Sequence, residues 1–443
     1  MPGAMFNIAR TGTAAARASL ELTATNIANA SNPDYARRTS LQSELVSVSA
    51  TSRGVLNGVI VEGIGRAEST ALLRQARDRA SDLARADAEL AGLRDAETAL
   101  EQARLFETLV DFEAELTRLE GNPLEPALRE AALESARQLA ATFNLADQTL
   151  DNAREQVFDE ATLSLAELNR QAVELARINA DLSRAQPQTA EQAALLDARD
   201  GALRAMARQS GLDVSFDDRG VATVRLDATP AAVLVDGDAA GVLTVAQNPD
   251  GTIAFDLGGT AVALNTGTLA GQAGALQQMA GFQTELDDAA ASVIARANAA
   301  QASGADAAGN PGQPFFAGAN AATMSLALAG GAQIAAAPAG SPAGSSDASN
   351  LAALVDALGA GDGPVADLDG LLLNVSSRIA ALDITRTGLA AVSQSADEAV
   401  RSVGGVDLDR EAADLVRLQQ AFEANARVIQ VANELFDVIL NLR

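Results

Sequence analysis

Apolar and polar positions follow two different periods along this chain. Residues 5–30 repeat with a helical period: Phe6, Thr13, Leu20 and Ile27 recur at every seventh position, and Ala9, Ala16, Thr23 and Ala30 fill the companion positions. The result is a heptad-like stripe of apolar and small residues, which predicts a helix built to lie against another helix. The run Ser31-Asn-Pro-Asp34 ends it, because Pro33 cannot continue a helix and pushes Asn32 into extended geometry. Residues 35–65 read as extended chain, with Thr39, Leu41, Leu45, Val46 and Val48 in a Ser/Thr-rich run and a Gly-punctuated stretch from Val55 to Ile64. The helical period returns from Glu68 to Leu119, with Leu83, Leu90, Leu93, Leu100 and Leu109 as its stripe and Gly121-Asn-Pro123 as the break. Further helices are predicted over 124–183 and 189–209, the latter capped near Gly211.

The pattern changes over 212–268. Val, Thr, Phe and Gly rise, and the turn signals Asp217-Asp-Arg-Gly220, Asp236-Gly237 and Asn248-Pro-Asp-Gly251 separate short apolar runs. This is the signature of a small antiparallel β domain of five or six strands. Helix resumes over 271–302. Residues 303–350 are rich in Gly, Ala, Pro and Ser and read as loop-like or poorly ordered. Helix returns over 365–403 and from Val406 to the end.

That last segment carries the strongest pattern. Leu408, Leu415, Phe422, Ile429 and Phe436 recur every seven residues, with Glu411, Leu418, Asn425, Ala432 and Ile439 as companions. The opposite face holds Asp409, Arg410, Asp414, Arg417, Glu423 and Arg427. A heptad stripe of this length predicts a coiled-coil partner. Asn425 sits in the seam, where a polar residue lowers stability but can set register; alternatively it reaches solvent at the seam edge. The expected fold is therefore mainly α with a small β insertion: a long-helix bundle core, terminal helices forming a coiled coil, and a central antiparallel β domain. The expected domains are 1–65 with 403–443 for the terminal assembly part, 66–211 with 269–402 for the bundle, 212–268 for the β domain, and the 303–350 loop within the second half. This nested plan requires the two ends to meet. In a lone subunit, with no partner for their stripes, roughly the first 30 and last 35 residues are expected to be mobile.

Composition narrows the chemistry. Among 443 residues there is no His, no Cys, no Trp and no Lys, and the net charge is −26. Zinc sites of the N/S type and Ser-His-Asp or Cys-His catalysis are excluded outright. The acidic balance argues against nucleic acid and against anionic membrane surfaces, and no apolar run is long enough to span a bilayer. Asp217-Asp218 and Asp236-Gly-Asp238 lack the terminal Glu of a calcium loop and are better read as hairpin turns. Gly63-Ile-Gly65 and Gly258-Gly259 are followed by no Lys and fit no phosphate loop. No cofactor, metal or enzyme activity is expected. The N-terminus has no basic stretch followed by an apolar core, so a standard secretory signal is not expected.

Several motifs resemble one family. The C-terminal segment from Gly405 to Arg443, with Gln419-Gln-Ala-Phe-Glu-Ala-Asn-Ala426 at its heart, resembles the C-terminus of flagellar axial proteins. Asn26-Ile-Ala-Asn29 followed by Asn32-Pro-Asp-Tyr-Ala-Arg37 is similar to the matching N-terminal signature, with Asp34 where that family usually has Gly. Rod and hook subunits share both ends. The middle resembles the hook-associated protein 1 family of hook–filament junction subunits, through Ala136–Asn144, Leu168–Ile178, Leu195-Leu-Asp-Ala-Arg-Asp200 and Asn310-Pro-Gly-Gln-Pro-Phe-Phe316. The resemblance implies a structural subunit exported unfolded through the flagellar type III channel and located in the extracellular flagellum. It implies a ring of identical subunits between hook protein on one side and a second junction protein and filament on the other. An export chaperone on the C-terminal helix is implied as well. Assembly residues carried over are Phe6, Leu20, Asn26, Ile27 and Asn29 at one end, and Leu408, Leu415, Leu418, Phe422, Asn425, Ile429, Phe436 and Ile439 at the other. The chain is short for that family, so an outer domain is expected to be reduced, within 303–350. A rod or hook subunit remains an alternative. So does a helical cell-surface binding protein or adhesin, which ordered ends in a free monomer would favour.

Overall fold

A computed structural model describes residues 2–47 and 56–441; Val48 and Val55 lie outside the described residues. The chain opens with α1 (Pro2–Ala28), then an antiparallel pair, β1 (Arg38–Ser47) and β2 (Leu56–Arg66), in which Arg38 stands opposite Arg66. Next come α2 (Thr70–Ala103) and α3 (Leu105–Gly121). The single helix expected over 68–119 is broken at Arg104, whose left-handed φ of 55° turns the chain so that α3 folds back onto the core. The 59-residue α4 (Pro126–Arg184) starts with Pro at its first turn, where the missing N–H costs nothing. The Thr189 side chain caps α5 (Ala190–Gln209), accepting from the Gln192 N–H at 3.2 Å.

The insertion after α5 is β, as expected, but holds eight short strands in two four-stranded sheets rather than one run of five or six. One sheet pairs 212–216, 222–226, 232–236 and 239–240; the other orders 228–229, 260–264, 253–257 and 243–247. The two-residue strands carry no alternation, so no sequence pattern marks them. The remaining helices are α6 (Thr268–Ala302), α7 (Ser349–Leu358), α8 (Pro364–Gly404) and α9 (Leu408–Asn441).

Two cores share α4 as a spine roughly 90 Å long at 1.5 Å per residue. The first half of α4 packs with α2, α3, α6, α7 and α8 around Phe112, Phe143, Leu150, Phe282 and Val293, all at most 1% exposed. Its second half packs with α5 and the β sheets around Leu168, Leu175, Leu203, Val224 and Leu234. Each such side chain contributes about 1.5–3 kcal/mol by burial.

The 303–350 segment is irregular but fixed. Phe315 and Phe316 are buried against Phe112, with ring centroids 5.7 and 6.0 Å away. The Arg129 guanidinium, 4% exposed, donates to the carbonyls of Pro123 at 2.6 Å, Gly331 at 3.2 Å and Ile334 at 2.9 Å. Small residues let this chain lie flat on α4 and α6, which composition alone reads as disorder.

Candidate functional site: the paired termini

The two ends meet. Helices α1 and α9 lie side by side and antiparallel: Asn26 touches Glu411, and fourteen residues away on each helix Gly12 touches Asn425. The expected seam is the face α9 turns to its partner: Leu415, Leu418, Phe422, Asn425 and Ile429 are half-buried, and Glu411 and Ala432 are buried. On α1, Leu20 and Ile27 are half-buried and Ala9, Ala16, Thr23 and Asn26 buried. The helices approach closely at Gly12, where a Cβ would stand 2.8 Å from Asn425 Oδ1. Asn425 itself donates to the Ala421 carbonyl of its own helix at 2.9 Å.

Three expected seam residues lie elsewhere. On this register Leu408 falls just past the end of α1 at Ala28, and Phe436 beyond its start at Pro2, so both are exposed, at 54% and 52%. Phe6 is also exposed. For Leu408 and Phe436 the physical reason is length: the 34-residue α9 overhangs the 27-residue α1 at both ends; Phe6 lies within the paired length, and nothing in the structure explains its exposure. The Ile439 side chain lies outside the described residues. The expectation that a lone chain leaves its terminal stripes unpartnered also fails, because each stripe finds the other.

The charged face of α9 also carries exposed apolar residues: Val416, Val431 and Val438 lie on the side away from α1 by helical spacing, while Val428 and Leu435, also exposed, share the heptad position of Asp414 and flank the seam. Asp414, assigned to that face, sits at the seam edge, 3.4 Å from the Arg37 guanidinium.

Beneath the helix pair lies a closed polar knot. Asn26, 1% exposed, uses its whole hydrogen-bonding capacity: Nδ2 donates to the Arg38 carbonyl (2.9 Å) and Glu411 Oε2 (3.1 Å), while Oδ1 accepts from Tyr35 Oη (2.8 Å) and the Arg38 N–H (2.9 Å). Glu411, also 1% exposed, accepts from Arg37 Nε at 2.5 Å. A single Asn thus ties α1, the 35–38 bend and α9 together. Burial raises the Tyr35 pKa; the Arg38 guanidinium, 4.9 Å from its ring, opposes this, and Asp197 and Glu411 add to it. Asn29 turns back on its own helix, donating to the Thr25 carbonyl at 2.9 Å.

The same bend is anchored to the helical body. Arg38 and Arg66 converge on Asp197 at 2.9 Å, and Arg66 also holds Asp200 at 2.8 Å, which Arg199 engages at 2.6 Å. Burial lowers the Arg66 pKa, but Asp200, Glu68 and Asp197 outweigh it and leave it raised. Where the chain crosses the border three times, the backbone is stitched: the Arg37 N–H donates to the Gly404 carbonyl (2.8 Å) and the Ala67 N–H to the Arg37 carbonyl (2.9 Å). Arg37, Arg38, Arg66, Asp197, Asp200 and Glu411 are the residues that periodicity does not single out in this role. For Asp197, Asp200 and Glu411 the visible signal is a charge at a position of helical register otherwise filled by Leu and Ala; Arg37, Arg38 and Arg66 lie on the bend and strands and carry no such signal.

Among the described residues no group of three His, Cys, Asp or Glu is placed to hold a metal, and no helix is long and apolar enough to cross a membrane.

The C-terminal helix places the chain among flagellar axial proteins by similarity: the family model described as "Flagellar basal body rod FlgEFG protein C-terminal" matches residues 403–442. Within that class the chain belongs to the flagellar hook-associated protein FlgK family, whose helical-domain model matches residues 93–316, just over half of the chain. The chain is 29% identical over 328 residues to flagellar hook-associated protein 1 of Salmonella typhimurium, covering 70% of this chain and 59% of that protein. It is 28% identical over 334 residues to the Escherichia coli K12 protein of the same name, covering 71% and 60%. The chain thus spans about three-fifths of the length of these relatives. The solved structure of the flagellar hook junction protein FlgK from Burkholderia pseudomallei shares the fold, with a TM-score of 0.65 at 15% identity over 75% of this chain and all of that one. The paired ends alone would favour a free-standing surface protein; family membership decides against it.

Proposed function

We propose that this chain is a structural subunit joining hook to filament in the bacterial flagellum, with no catalytic role. It is divided as its pattern suggests: 1–65 with 403–443 as the assembly part, 66–211 with 269–402 as the bundle and 212–268 as the β domain, 303–350 packing within the second half. The observation that carries the reading is the exposed apolar surface of α9, with Val416, Val431 and Val438 on the side away from α1 and Val428 and Leu435 flanking the seam, together with Phe6 and Phe436 at the ends of the helix pair. A strip of that length on an already paired helix is the surface of a protein that polymerises. Its partners are then further copies in a ring, hook protein on one side, and a second junction protein and filament on the other. Before assembly the same strip needs cover. A helical export chaperone that takes α9 in an apolar groove supplies it, and gives way as the chain passes unfolded through the type III channel. A rod or hook subunit fits less well, because the middle of the chain is helical. Electron microscopy of flagella from a strain lacking this chain tests the reading: growth is expected to stop at the hook, and full-length filaments would refute it.

A further inference from the structure

Charged side chains at the border between the bundle and the β domain are nearly all paired, with one exception. Arg77 lies two turns into α2, is 7% exposed, and makes no hydrogen bond or ion pair among the described residues. A guanidinium cannot lose its charge at physiological pH, so leaving it largely buried without a protein partner is unfavourable. Burial lowers its pKa, with Asp200 and Asp78 opposing from beyond bonding distance. The group is not sealed in. It lines a cleft of about 270 Å³ with Thr70, Gln192, Leu196, Arg199, Phe216 and the 217–220 turn, and a second cleft that shares Thr70 and Phe216 and is lined by Arg74 and Asp78.

Most of the other charged groups around it are engaged, Asp218 excepted. Arg199 lies over the Phe216 ring at 4.2 Å, grips Asp200, and donates to the Gly220 carbonyl at 2.8 Å. Glu68 is held by Arg66 at 2.5 Å. Asp217 accepts from the N–H groups of Arg219 and Val221, at 2.9 and 2.8 Å, within its own turn. Asp78 is 3.9 Å from Arg74, and Asp218 is exposed. Thr70, the first residue of the 34-residue α2, lies seven residues before Arg77 and so on the same face, and it lines both clefts. The positive end of the helix dipole therefore lies at the cleft, where the Ser69 cap takes the Leu72 N–H at 3.4 Å and leaves those of Thr70 and Ala71 without a helical partner.

We propose that this cleft is an oxyanion site, taking one carboxylate-, sulfate- or phosphate-sized group on the Arg77 guanidinium with the first turn of α2 as its second donor. The group has two possible sources: a free small anion, or an exposed acidic side chain from another copy of this chain, which carries 58 acidic residues. A planar fork and a helix N-terminus together select a compact oxyanion over a monatomic one.

The test uses the full-length chain. Thermal unfolding is followed against inorganic phosphate at constant ionic strength, with chloride as balance, for the wild type, Arg77→Gln, Arg77→Lys and Arg74→Gln. A saturable rise in Tm is expected in the wild type and Arg74→Gln, reduced in Arg77→Lys and absent in Arg77→Gln. Sedimentation in phosphate-free buffer separates the sources. Association weakened by Arg77→Gln and by added phosphate assigns the site to a neighbour's carboxylate; association unaffected by either assigns it to a free ion. A phosphate response identical in wild type and Arg77→Gln, with association unchanged, overturns the proposal and leaves water as the occupant. If Arg77→Gln does not fold, wild type and Arg77→Lys decide: equal phosphate dependence overturns the site.

Discussion

Replacing Asn26 with Ala removes four hydrogen bonds from a site that is 1% exposed, and no other residue of the knot can replace them. At roughly 1 kcal/mol net per bond, the loss would be about 4 kcal/mol if nothing relaxed. Tyr35 Oη lies near the edge and can regain water, which brings the estimate down to about 2–4 kcal/mol. The bonds join α1, the 35–38 bend and α9, so the loss should fall on the helix pair and spare the bundle, whose cores they do not touch. Local opening is what native-state hydrogen exchange reads. Amides of residues 412–432 should exchange roughly 30- to 700-fold faster in Asn26→Ala, at about 1.4 kcal/mol per factor of ten, while those of 139–150 in α4 stay unchanged. A change below threefold in α9, or an equal acceleration in α4, would refute the view that Asn26 is the clasp of the terminal pair.

Three further outcomes follow from the same geometry. Phe422→Glu places a charge in the α1–α9 seam, where it is desolvated; circular dichroism should show the bundle still folded while junction assembly is lost, and normal motility would sink the coiled-coil assignment. Phe315→Ala empties a fully buried site beside Phe112 and should cost about 3–5 kcal/mol by denaturant unfolding; a cost under about 1 kcal/mol would mean the 303–350 segment is not part of the core. Burial, then Asp151 and Asp287, raise the Asp147 pKa, while a hydrogen bond from Gln283 lowers it. The folded state therefore prefers Asp147 protonated, and its carboxylate weakens the fold above the folded pKa. Asp147→Asn should raise Tm at pH 7, with the gain fading as pH falls through the folded pKa toward the ordinary Asp range; a constant difference across that window would show that charge is not the cause.

Period and punctuation were enough to read the terminal helices, the long bundle helices and the β insertion. Heptads at 408–436 and at 6–30 require a helix partner; Gly121-Asn-Pro123 and the Asp-Gly turns stop the chain where the structure stops it, and α1 ends at Ala28, five residues before Pro33. These are local signals, carried by residues a few positions apart. The absence of His and Cys likewise bounded the chemistry before any coordinates. Only tertiary structure could show that the two stripes satisfy each other within one chain, because partner choice depends on where residues 29 and 408 are delivered by all that lies between them. The left-handed bend at Arg104, the burial of Arg77 and the ordering of 303–350 are equally invisible in one dimension. So is the meeting of Asn26 with Glu411, 385 residues apart. A charge at an apolar register position announces that something must pair with it, but not what, since Coulomb and hydrogen-bond partners are set by distance in space and not by spacing in the chain.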